Sequence, residues 1–161
     1  MSFYSAQPED LLFDAARKGD VTYLNELITN GMSINIQNGK GFTPLIVAAY
    51  DGHLEATKVL LEADANVDVQ DASGNTALMG VSFKGYADIA QLLIEYGADL
   101  NIQNGNGGTA LMFATMFGRN QLVKLLLHYG ADTTLQDVRG LTALGLAYQQ
   151  VNDEAIALLS A

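Results

Sequence analysis

The feature that most constrains this chain is a period. Sliding the sequence over itself by 33 residues brings Gly41-Phe42-Thr43-Pro44-Leu45 onto Gly74-Asn75-Thr76-Ala77-Leu78. The next shifts reach Gly107-Gly108-Thr109-Ala110-Leu111 and Gly140-Leu141-Thr142-Ala143-Leu144. The same spacing aligns Gly19, Gly52, Gly85 and Gly118, aligns Gln37, Gln70, Gln103 and Gln136, and sets Leu12 on Leu45 and Ala15-Ala16 on Ala48-Ala49. Five units follow without insertion or deletion: residues 5–37, 38–70, 71–103, 104–136 and a shortened 137–161. A repeat of this length, held in register down the whole chain, specifies a stack in which each unit buries its apolar face only against its neighbours. The register therefore predicts one domain over residues 1–161, with nothing left over for a second.

Each unit reads alike. A polar, glycine-bearing stretch such as Gln37-Asn38-Gly39-Lys40-Gly41 is turn chemistry. Thr43, Thr76, Thr109 and Thr142 then stand where a helix begins, their hydroxyls able to accept from free backbone N–H groups. Asp10 takes that place in the first unit, and Pro44 follows Thr43 at the first helical position, where a missing N–H is no loss. A short helix rich in small residues follows, as in Leu45-Ile46-Val47-Ala48-Ala49, and Gly52 and its equivalents break it. The second helix carries an apolar stripe, Leu122, Val123, Leu125, Leu126 and Leu127 in the fourth unit. Gly31, Gly97 and Gly130 stop that helix where a left-handed residue is wanted, and an extended stretch such as 98–102 leads on. The second helix of the first unit bears Asp20, Thr22, Asn25, Glu26 and Thr29. The last unit bears Gln149, Gln150, Asn152, Asp153 and Glu154, so both ends read as polar caps, with the chain ending inside its final helix.

The segments Thr43-Pro44-Leu45 with Ala48-Ala49 and Gly52-His53-Leu54-Glu55, and Leu125-Leu126-Leu127-His128-Tyr129-Gly130-Ala131-Asp132, resemble the ankyrin repeat signature over residues 5–161. The resemblance implies an all-α repeat solenoid: stacked helix-turn-helix units with projecting β-hairpin-like loops. It also implies protein binding through the concave face and hairpin tips. The chain departs from the family pattern at several places. Ile46, Met79, Met112 and Gly145 replace the usual histidine near the helix start, which removes a hydrogen bond there. Asp64 stands for a glycine, a residue type that tolerates the left-handed region. Ser82, Thr115 and Tyr148 stand for a small alanine, and these changes bear most on the stability of the third unit.

Composition excludes several functions. With 18 acidic against 8 basic residues, the net charge is −10, which repels phosphate backbones and anionic membranes, so neither nucleic acid nor membrane is an expected partner. No apolar run approaches the ~20 residues that span a bilayer. The start, Met1-Ser2-Phe3-Tyr4-Ser5, lacks the basic and apolar regions of a secretory leader, so a cytoplasmic location is expected. Cysteine is absent, which removes disulfides, thiolate catalysis and cysteine metal sites together.

Catalytic chemistry finds no foothold in the pattern. His53 opens a second helix and His128 closes one two units later. At ~1.5 Å per residue their levels differ by roughly 13 Å, so they do not share a metal, and both read as structural. Asn104-Gly105-Asn106-Gly107-Gly108 lacks the lysine and hydroxyl of a phosphate loop and falls in register as a hairpin turn. Carboxylates are scattered singly over the units. The expectation is therefore no catalytic residue, no cofactor and no metal. The alternative is an enzyme, or an accessory subunit of one, whose site the repeat does not reveal.

What differs between units marks the contact surface. The pair ending each first helix reads Arg17-Lys18, Tyr50-Asp51, Phe83-Lys84, Met116-Phe117 and Gln149-Gln150, and the position before the helix reads Glu9, Phe42, Asn75, Gly108 and Leu141. Phe42, Tyr50, Phe83, Lys84, Met116, Phe117, Arg139 and Leu141 are the candidate partner-binding residues, because large apolar groups presented together mark interaction sites. The competing reading has these side chains fold over one another and cap the helix layer. Arg17, Lys18, Lys40, Lys84 and Arg139 share these positions with only Glu9 and Asp51, although Asp71 and Asp137 lie at the hairpin bases. The expected partner is a protein that presents acidic groups around an apolar protrusion to a monomeric adaptor or inhibitor.

Overall fold

The computed structural model describes residues 8–161. Residues 1–7, which include the start expected to lack a leader and residues 5–7 of the first unit, lie outside the described residues. Among the described residues ten helices run in sequential pairs. They are α1 (Pro8–Lys18) with α2 (Val21–Thr29), α3 (Pro44–Tyr50) with α4 (Leu54–Glu62), α5 (Ala77–Lys84) with α6 (Ala87–Glu95), α7 (Ala110–Met116) with α8 (Asn120–His128), and α9 (Ala143–Gln149) with α10 (Asp153–Leu159). First helices pack on first helices, α1 on α3 through to α7 on α9, and second helices form a second layer in the same way. Between the layers Leu12, Leu45, Leu78, Leu111 and Leu146 are buried from one side, and Leu24, Leu60, Leu93 and Leu126 from the other. The alanines of the first helices (Ala16, Ala48, Ala49, Ala114, Ala147) are fully buried, which lets neighbouring backbones approach closely.

The helix starts follow the sequence, with one exception. The hydroxyls of Thr43, Thr76, Thr109 and Thr142 accept from the N–H three residues on, at 3.1–3.2 Å. Asp10 does not take this role. Pro8 and Glu9 are already helical, so Asp10 lies inside α1 and not before it. At the other end, α10 stops at Leu159 with Ser160 as its cap, so the chain does not end within the helix.

Polar ladders repeat with the units. Each loop is closed by one side chain: Asn38, Asp71, Asn104 and Asp137 accept from the N–H groups two and four residues ahead. The loops join through backbone, the N–H groups of Ala72, Gly105 and Val138 donating to the carbonyls of Lys40, Ser73 and Asn106 at 3.0, 3.0 and 2.9 Å. Gln37, Gln70 and Gln103 each donate to a carbonyl of their own loop and to one in the next unit. Asn35, Asp68 and Asn101 accept the N–H of Asn66, Asp99 and Asp132 one unit later. The repeated polar residues thus satisfy backbone groups that the loops would otherwise leave unpaired.

Asp64 adopts φ 68, the left-handed conformation its place demands. Val151, at the register position of Gly118, does so too, at φ 52, which for a β-branched residue is strain.

Candidate functional site

The loops and the exposed side of the first helices frame a depression of about 710 Å³. Phe42 from the second loop, Ile46 and Tyr50 from α3, Met79 and Phe83 from α5, and Phe113 from α7 give it an apolar lining, with Arg17, Lys40, Asp51 and Asp71 on the rim. A second depression of about 360 Å³ continues it, lined by Met112, Met116, Val138, Arg139 and Leu146. Phe113 lines both and stands between them. The helical repeat explains the grouping: residues three and four apart share a face, so Ile46 and Tyr50, or Met79 and Phe83, point to one side.

An aromatic run follows the groove from unit to unit. The rings of Tyr50 and Phe83 lie parallel with centroids 6.3 Å apart. Phe83 meets Phe117 edge to face at 4.6 Å, and Lys84 Nζ sits 4.6 Å from the centre of the Tyr50 ring. Such edge-on pairs contribute about 0.5–1.5 kcal/mol beyond burial, so the side chains do fold over one another. They nevertheless remain at the surface: Tyr50 is 40% and Phe117 43% exposed. Mutual packing holds the rings in fixed orientations, which lowers the entropy cost of using them as contacts.

Five candidate residues thus gather at the larger depression: Phe42, Tyr50 and Phe83 in its lining, Lys84 and Phe117 against the rings. Met116 and Arg139 border the smaller one. Leu141 lines neither; it packs, half-buried, over Gly145.

Two arginines at the groove are ion-paired. Arg17 pairs with Asp14 at 2.8 Å and Arg139 with Asp137 at 2.9 Å. Asp71 holds its loop through Ser73 and Asn75 N–H. Burial pushes the Asp137 carboxyl up, but hydrogen bonds from Leu141 N–H and from the Arg139 side chain and N–H outweigh this and hold its pKa below the ordinary 3.8. Lys40 is exposed and, among the described residues, makes no ion pair.

Sequence reasoning passed over Ile46, Met79, Met112, Phe113 and Val138 as contact residues. The first three were visible only as departures from a pattern, yet they form the groove floor. Phe113 was detectable as the one aromatic in the series Asp14, Val47, Gly80, Phe113, Leu146, one turn before the pair that was selected. Val138, 72% exposed, occupies a loop position held by Gly39, Ala72 and Gly105 in other units.

His53 serves the stack: its Nε2 donates to the Arg17 carbonyl at 2.8 Å, and its ring covers Gly19. One unit on each time, Tyr86 covers Gly52 and Arg119 covers Gly85, and Arg119 Nε donates to the Phe83 carbonyl at 3.0 Å. Asn152 donates to the Thr115 carbonyl at 3.2 Å. His128 stands edge-on to Tyr129 with ring centres 5.2 Å apart, remote from the groove. Among the described residues, no three or more His, Asp or Glu side chains come together as metal ligands would. None of the helices there is long and apolar enough to cross a membrane.

The family described as Ankyrin repeats (3 copies) matches residues 12–104 and 81–161. Ankyrin repeat and SOCS box protein 3 of Homo sapiens is 35% identical over 51 residues, which is 32% of this chain and 10% of that protein. An ankyrin repeat protein of Pseudomonas aeruginosa is 38% identical over 48 residues, 30% of this chain and 28% of that protein. The aligned stretches thus span less than a third of either relative.

Proposed function

The chain belongs to the ankyrin repeat family, and on that premise we propose that it is a protein-binding scaffold which captures its partner in the groove, acting as an adaptor or an inhibitor. The family is a non-catalytic interaction module, and the proposal assigns the chain no reaction. The observation that carries it is the continuous aromatic run Tyr50, Phe83, Phe117, supplied by three successive units and left partly exposed. A stack needs none of these rings for its core, whereas contiguous exposed aromatics are what binding surfaces use. In this reading a monomer works in the cytoplasm, and its partner brings acidic and apolar groups to the rim. Exchange of Phe83, Met116 and Phe117 for Ala together tests it. Capture of the partner, identified by affinity purification with the intact chain, should be abolished while the helical circular dichroism is retained. Undiminished capture by the triple variant refutes the assignment.

A further inference from the structure

The sequence contains four Asn–Gly pairs: Asn30-Gly31, Asn38-Gly39, Asn104-Gly105 and Asn106-Gly107. Such pairs are chemically labile. A glycine has no side chain to shield its backbone nitrogen, and that nitrogen can attack the side-chain carbonyl carbon of the asparagine before it. A nitrogen whose N–H is hydrogen-bonded is held back from doing so. Three of the four are engaged: Gly31 N–H donates to the Ile28 carbonyl at 3.0 Å, Gly105 N–H to that of Ser73 at 3.0 Å, and Gly107 N–H to that of Asn104 at 2.9 Å. Gly39 N–H has no acceptor among the described residues.

Asn38 and Asn104 allow a close comparison, because the register sets one on the other. In both, the side-chain Oδ1 accepts two backbone N–H groups: from Lys40 and Phe42 at 3.0 Å for Asn38, and from Asn106 and Gly108 at 3.0 and 2.8 Å for Asn104. Two donors aimed at one carbonyl oxygen stabilise the oxyanion that forms when its carbon is attacked. The sites differ at the nucleophile and at the leaving group. Gly105 is tied to the preceding loop, and Asn104 Nδ2 donates to Asn75 Oδ1 at 2.8 Å. Gly39 is exposed, and among the described residues nothing lies within 4 Å of the place of a Cβ there.

We propose that Asn38 is a site of spontaneous deamidation, and that its isoaspartyl product opens the loop bearing Phe42. Gly39 N gives up its proton to base and bonds to Asn38 Cγ. The Cγ–Nδ2 bond breaks, and the amide nitrogen takes up a proton and leaves as ammonia. Water then opens the cyclic imide on either side. Cleavage of the new Cγ–N bond gives aspartate, the residue type that already closes the loops at Asp71 and Asp137. Cleavage of the original peptide bond gives isoaspartate, whose main chain runs through the former side chain. The carbonyl that accepted Lys40 and Phe42 N–H then belongs to the main chain, and the closure is lost. With it go the placement of Phe42 in the larger depression and the bond from Ala72 N–H to the Lys40 carbonyl. The reaction needs no partner in the groove.

The test holds the full chain, folded, in mildly alkaline buffer and follows each pair by peptide mapping with mass spectrometry that separates aspartyl from isoaspartyl peptides. Asn38 should convert about tenfold faster than the other three, the rate equivalent of one hydrogen bond that need not be broken. In concentrated urea, where those hydrogen bonds are gone, the four rates should converge. Gly39→Ala introduces the residue that Ala72 supplies at this register position. It should slow Asn38 to the level of the paired sites or below and leave the other three unchanged. The purified isoaspartyl chain should unfold at a lower urea concentration than Asn38→Asp, which should match the parent. Equal rates at the four pairs in the folded chain, or the same preference for Asn38 in urea, overturn the site. An isoaspartyl chain as stable as Asn38→Asp overturns the opening of the loop.

Discussion

Ser82 offers the most direct test of how this stack is held together. It lies in α5, fully buried, at the repeat position held by Ala16, Ala49 and Thr115 in other units. Its Oγ is buried without a hydrogen-bond partner. Thr115 faces the same difficulty and resolves it, donating its hydroxyl to the Leu111 carbonyl at 2.8 Å. An unsatisfied buried polar group costs about 1–3 kcal/mol, and serine is roughly 0.5 kcal/mol worse than alanine in a helix interior. Against this, Ser82→Ala forfeits only the packing of one oxygen atom. The expected net gain is about 1.5 kcal/mol. At ~2–4 °C per kcal/mol for a chain of this size, that raises the melting temperature by about 3–6 °C. Urea unfolding followed by circular dichroism should show a higher midpoint with an unchanged slope. Thr115→Ala is the control: it removes a satisfied hydroxyl and a buried methyl group, so it should cost about 1–2 kcal/mol. Opposite signs at one register position are the prediction. An unchanged or lowered midpoint for Ser82→Ala would refute it, by showing that the hydroxyl is already satisfied in solution.

Three further perturbations probe the loops and the backbone. Asp137→Ala removes the acceptor for Arg139 and Leu141 N–H and should cost about 1–2 kcal/mol, whereas Asp137→Asn keeps an acceptor, as Asn38 and Asn104 do, and should stay within about 0.5 kcal/mol. Because the folded pKa of Asp137 is lowered, its contribution is complete above about pH 4 and is lost as the pH falls through the folded value; urea midpoints measured from neutral pH downward should lose that dependence in Asp137→Asn. Val151→Gly relieves a left-handed β-branched residue that is 74% exposed and should raise stability by about 0.5–1 kcal/mol in thermal melts, after the added freedom of the unfolded chain is subtracted; a loss would show that no strain resides there. Gly41→Ala places a Cβ 2.6 Å from the Ala72 backbone nitrogen, while Gly31→Ala, also at positive φ, meets nothing within 4 Å; the first should cost at least ~1 kcal/mol more than the second, and equal denaturation midpoints would discount the loop-to-loop packing.

The period made most of the fold legible. The threonine caps, the glycine stops and the left-handed Asp64 are local consequences of residue type, and they stand where the register set them. Asp10 departs from the register because the first unit is already helical at Pro8 and Glu9, and a register copied from the interior units does not see a different end. The groove was legible only at its rim. Its floor is made of residues that face both the core and the partner side, such as Met79, 1% exposed, and Ile46, 9% exposed, so an expectation built on solvent-facing positions omits them. The carboxylates of Asp71 and Asp137 read as charges at the hairpin bases in the sequence; only the geometry reveals that Oδ1 of each also closes its turn and that Asp137 is paired with Arg139.

Gly80 and Ser82 place two costs in one helix, and they differ in kind: one is backbone freedom lost on folding, the other a polar group left unpaired. Gly80 borders the groove, where the Tyr50 ring lies over it; Ser82 is fully buried, and nothing in the structure explains its hydroxyl. Both costs fall in the middle of the stack. In a repeat protein each unit is stabilised by its own folding and by its two interfaces, so a weak central unit lowers the coupling between the halves on either side. The groove crosses that point. Its walls come from the second unit (Lys40, Phe42, Tyr50), the third (Met79, Phe83) and the fourth (Phe113). A partner seated there touches all three and stabilises only the arrangement in which they are aligned, by mass action. Binding across the second, third and fourth units would therefore brace the stack at the unit whose first helix carries both costs.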